Sequence, residues 1–63
     1  MSNDQAYHRK IKSEISDLKS KVSGCKDLIM EYERKGDHAS VRSLQNEIER
    51  SENRISNLES NFR

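Results

Sequence analysis

Residues 33–40 read Glu-Arg-Lys-Gly-Asp-His-Ala-Ser (ERKGDHAS), and this is the one stretch of the chain where one regular pattern stops and another begins. Gly36 is the residue type that most easily takes the left-handed conformation ending a helix. Asp37, just after it, can cap a new helix by accepting the free amide hydrogens of its first turn. Arg34 and Lys35 place cations at the negative end of the preceding helix dipole. The stretch therefore reads as a helix, a two-residue turn at 36–37 and a second helix.

Working outward from the turn, the apolar residues of the first half are Ile11, Ile15, Leu18, Val22, Cys25, Ile29 and Tyr32, separated alternately by four and three. The second half repeats the alternation with Val41, Leu44, Ile48, Ser51, Ile55, Leu58 and Phe62, one polar member being Ser51. Such spacing is a heptad seam. No proline bars any position from a helix interior. Helix 1 is predicted over about residues 5–35 and helix 2 over about 38–62, in a single domain covering 1–63.

Folding the chain back at the turn tests this reading. Tyr32 meets Val41, Ile29 meets Leu44, Cys25 meets Ile48, Val22 meets Ser51, Leu18 meets Ile55, Ile15 meets Leu58 and Ile11 meets Phe62, with no slip in register. Each layer combines an a position with a d position, as an antiparallel coiled coil requires. The predicted fold class is all-α, an antiparallel two-helix coiled-coil hairpin. Because so short a chain exposes much of its surface even when folded, assembly into a four-helix bundle or a larger helical oligomer is expected.

The flanking positions distinguish two edges. On what we term the lysine edge, e positions bring Lys12 towards Glu59, Lys19 towards Glu52 and Lys26 towards Gln45. Exposed pairs of this type contribute only ~0.2–1 kcal/mol each and set orientation more than stability. On the opposite, leucine edge, g positions set Leu28 against Glu47, Lys21 against Arg54 and Glu14 against Asn61. That arrangement leaves one apolar residue exposed and opposes two cations, which are expected to find acidic groups on a second chain.

Composition narrows the function. The 63 residues are 30% hydrophobic and 37% charged, with a formal net charge of +1, so the chain as a whole carries no electrostatic drive towards nucleic acid or anionic membrane. Residues 1–35 hold eight Lys/Arg against six Asp/Glu and residues 36–63 hold four against five, making the halves mildly complementary at +2 and −1. The single cysteine, Cys25, excludes an intrachain disulfide. With no apolar run at the N-terminus to act as a leader or membrane span, a cytoplasmic, reducing setting and a complete small protein starting at Met1 are expected.

No glycine-rich phosphate loop, nucleophile elbow or acid/base constellation occurs, so catalysis is not expected and no cofactor is implied. His8 and His38 fall at opposite ends of the hairpin without a second cysteine or clustered carboxylates, so no metal site is expected. Cys25 at a d position reads as a small hydrophobe. Gly24 costs about 1 kcal/mol relative to alanine in a helix, and marks either a tolerated weak point or a place where a partner backbone or a small ligand approaches closely. Ser51 interrupts the seam, where a serine most often bonds back to its own helix or to water; a polar seam residue can also set register or oligomeric state, or contact a ligand.

Two surface clusters are candidate sites. Leu28, Met30 and Tyr32 concentrate apolar area near the turn, with Lys21, Arg54 and Glu47 to orient a contact, and together they suggest docking of another protein. The stretch Tyr7-His8-Arg9-Lys10, joined by Arg63 from the other terminus, places cations where a helix dipole disfavours them. Its charge is matched by Glu59 and the negative end of helix 2, or else by an anion or an acidic protein segment. The leading expectation is a self-associating protein-binding module acting as regulator, inhibitor or scaffold. The alternatives are a dimeric helical RNA or nucleic-acid binder, and an oligomer that sequesters a small anionic ligand such as a nucleotide.

Overall fold

The computed structural model describes the backbone from Ser2 to Asn61 and the side chains from Gln5 to Asn61. It consists of α1 (Ser2–Lys35) and α2 (His38–Asn61), packed antiparallel into a rod of 52 × 15 × 12 Å. The fold is the all-α hairpin that the two apolar stripes predict, with the turn at Gly36 and Asp37. Helix α1 begins somewhat earlier than the apolar pattern does, at Ser2, and runs unbroken through Gly24.

The turn is a double cap. Gly36 adopts φ 74°, and its N–H donates to the Glu33 carbonyl at 3.1 Å while the Asp37 N–H reaches the Tyr32 carbonyl at 3.0 Å. These are the two bonds of a Schellman ending, and they satisfy carbonyls that the last turn of α1 would otherwise leave open. Asp37 then starts α2: its Oδ1 accepts the Ser40 backbone N–H at 3.2 Å and its Oδ2 accepts the Ser40 hydroxyl at 2.7 Å. The Ser40 hydroxyl, then the Ser40 amide, hold the Asp37 carboxyl below its ordinary value, with His38 and Lys35 adding a smaller pull.

Between the helices lies one seam. Ile15, Val22, Ile55 and Leu58 form its centre, with Ile11, Leu18 and Ile48 packed against them. Cys25 and Val41 continue the buried line towards the turn, where Ile29, Tyr32 and Leu44 are half-buried. Every described member of the two stripes is thus at least partly covered. The outermost expected layer, Ile11 with Phe62, involves a residue outside those described.

Ser51 is the most covered residue of the seam, at 4% exposure, whereas the best-covered apolar residue, Leu58, keeps 6%. A two-helix rod has no third element to close over its core. No side chain of the described residues falls below 2% exposure, so the seam stays near solvent along its length.

Candidate functional site

The two edges of the rod differ. Along the leucine edge the charged residues neutralise one another within the chain. The Arg54 Nε donates to Glu14 Oε2 at 3.0 Å, Lys21 pairs with Glu47 through Oε1, and Arg50 Nη2 reaches Glu47 Oε2 at 2.8 Å. Both Glu47 oxygens are therefore engaged. Hydrogen bonds from Lys21 and then Arg50 pull its pKa from 4.5 down to about 2.

The opposition of Lys21 to Arg54 expected from sequence is corrected by these contacts. Each long side chain reaches past the cation beside it to a carboxylate one heptad further along the facing helix. Neither cation therefore needs an acidic group from a second chain.

The lysine edge is more open. Lys19 Nζ stands 3.7 Å from Glu59 Oε2, with both side chains more than half exposed, in place of the expected Lys12–Glu59 and Lys19–Glu52 pairs. On either side of Lys19 the surface dips. One open depression of about 500 Å³ is lined by Lys12, Ile15, Ser16, Lys19, Ser20 and Ser23. A second, of about 270 Å³, lies between Lys19, Val22, Glu52 and Ile55. Seam residues thus line both, and in the first the short side chains of Ser16, Ser20 and Ser23 leave Ile15 partly uncovered.

The expected apolar cluster near the turn divides in two. Leu28 is 42% exposed and lies one helical turn before half-buried Tyr32, whose ring carries the Lys35 ammonium 5.7 Å from its centroid. Met30, the most exposed large apolar side chain at 63%, is two residues from each. At about 100° per residue it lies about 200° around the helix from both. Leu28 and Tyr32 therefore share a face with Lys21, Glu47 and Arg54, while Met30 lies towards the outer side of the lysine edge.

At the N-terminal end, Tyr7, His8, Arg9 and Lys10 are exposed, with the Tyr7 and His8 rings tilted at 51° and 6.3 Å apart. Arg63, the remaining candidate in that cluster, lies outside the described residues. Among the described residues no group of three or more His, Cys, Asp or Glu side chains is arranged to hold a metal ion. Cys25 is a buried free thiol. No described helix is long and apolar enough to cross a membrane.

No protein-family profile, curated protein or solved structure matches the chain. The two edges and the turn end are therefore read on their own chemistry.

Proposed function

We propose that this chain is a small, non-catalytic protein-binding module of the cytoplasm, a helical hairpin that regulates, inhibits or scaffolds another protein. The observation that carries this reading is the exposed Leu28 beside half-buried Tyr32 on an edge where Lys21, Arg50 and Arg54 are paired with Glu47 and Glu14. An apolar anchor beside satisfied ion pairs suits an amphipathic helix, which gains by covering the anchor while those pairs keep their own partners. The buried free thiol of Cys25 is in keeping with a reducing compartment. Nucleic-acid binding draws less support, since Lys21, Arg50 and Arg54 all spend their charge on carboxylates of the same chain.

The test is affinity capture from extract of the source cells, with wild-type, Leu28→Ser and Met30→Ser chains compared by mass spectrometry. Leu28→Ser is expected to lose the captured protein and Met30→Ser to keep it. An unchanged set of captured proteins with Leu28→Ser overturns the assignment.

A further inference from the structure

We infer that the lysine edge is the docking surface for a second copy of this chain, related to the first by a two-fold axis parallel to the rod. The inference goes beyond the proposed binding of another protein and gives a face and a symmetry to the self-association expected from the sequence. It leaves the Leu28 edge outward on both copies.

Three observations carry it. Seam residues line two depressions on this edge, Ile15 among Ser16, Ser20 and Ser23 in one and Val22 with Ile55 between Lys19 and Glu52 in the other, so an approaching helix meets apolar surface. Among the described residues this edge has one ion pair, Lys19 with Glu59, which is long and exposed, whereas the carboxylates opposite are held by close contacts. The charge pattern then identifies the occupant. Helix α1 presents Lys12, Lys19 and Lys26 at heptad spacing, and α2 presents Glu52 and Glu59 with Gln45 on the same repeat.

A partner for this edge must offer acidic groups to α1 and basic groups to α2. A second copy does so under only one of the two face-to-face symmetries. Rotation about an axis along the rod lays α1 of one copy against α2 of the other at the same level, antiparallel. Lys12 then faces the second copy's Glu59, Lys19 its Glu52 and Lys26 its Gln45. Rotation about an axis across the rod would instead lay lysine row on lysine row. Complementary charge therefore selects a bundle with both turns at the same end, in which each helix is antiparallel to both neighbours.

The test uses two charge-reversed chains, K12E/K19E/K26E and E52K/E59K, with mass measured by sedimentation equilibrium. Wild type is expected at twice the 7.4 kDa chain mass, each variant alone at the single-chain mass, and their equimolar mixture at the double mass again. Restoration on mixing cannot come from repair within either chain, so it holds even where a variant alone is poorly folded.

Spin labels at Glu33→Cys in a Cys25→Ala background then read the symmetry. Turns at one end place the labels within about 20 Å, two helix spacings, while the crossed arrangement separates them by most of the 52 Å rod. A single-chain mass for wild type at all concentrations overturns the inference, as does a double mass unaffected by either reversal, or the longer label distance. Leu28→Ser leaves this mass unchanged, so loss of the captured partner and loss of the dimer are separate results.

Discussion

Glu14 and Arg54 stand forty positions apart in sequence and meet at 3.0 Å across the seam, Arg54 Nε donating to Glu14 Oε2. Both side chains are well exposed, 55% for Arg54 and 41% for Glu14, so water and salt weaken the attraction. A double-mutant cycle with Glu14→Ala and Arg54→Ala is expected to give a coupling of about 0.2–1 kcal/mol, shrinking in 1 M salt. Its presence in a dilute, single-chain sample would place the contact within the hairpin. A coupling that appears only at association concentrations would contradict the assignment.

Acid should loosen the hairpin through Glu47. Its pKa in the folded chain is about 2 against an ordinary 4.5, so the folded state binds the proton less readily than the unfolded state does. The stabilisation is therefore complete above pH about 4.5 and is lost as pH falls through about 2. Asp37, also lowered, adds a loss of the same sign. Urea titrations between pH 7 and pH 2 are expected to show falling midpoints, with a shallower fall for Glu47→Gln. An identical profile for the variant would remove Glu47 from the account.

The two glycines should respond oppositely to alanine. At Gly24 a methyl group meets nothing within 4 Å, and the backbone is ordinary helix, so Gly24→Ala is expected to stabilise by about 1 kcal/mol. At Gly36 the φ of 74° forces any larger residue into the left-handed region, and Gly36→Ala is expected to destabilise by about 1–2 kcal/mol. Thermal melts followed by circular dichroism read both. A gain in melting temperature for Gly36→Ala would mean that the double cap does not form as described.

Burial separates the apolar residues that hold the fold from those that merely lie on it. Leu58→Ala, at the best-covered apolar position, is expected to cost about 2–5 kcal/mol, enough to unfold a small rod. Met30→Ala, at 63% exposure, is expected to stay within about 0.5 kcal/mol of wild type. Equal losses in denaturant unfolding would be incompatible with a seam centred on Ile15, Val22, Ile55 and Leu58.

The seam and the turn were legible in the sequence because each rests on a feature one residue can announce. Alternating gaps of three and four place side chains on a single stripe whatever their neighbours do. Gly36 followed by Asp37 carries both halves of a cap. The ion pairs were not legible in the same way. Register fixes the level of each residue, but Lys21 and Arg54 have stems long enough to bypass the nearest residue for a carboxylate a heptad away.

The depressions on the lysine edge are not announced by the apolar pattern, for a different reason. One of them lies where Ser16, Ser20 and Ser23 stand in place of longer side chains, and an apolar stripe carries no mark of a missing side chain. The separation of Leu28 from Met30 was available from 100° per residue, and grouping the two by closeness along the chain overlooks it.

The brevity of the connection between α1 and α2 also shapes how the chain reaches its native state. With only Gly36 and Asp37 between the helices, Tyr32 and Val41 find each other after closing a very small loop, and each pairing shortens the path for the next. Folding is then expected to proceed like a zipper from the hinge towards the free ends, with local contacts first and each wide loop closure shortened by the layers already formed. Changes beside Gly36 should therefore slow folding, whereas those near Ile15 and Leu58 should chiefly hasten unfolding.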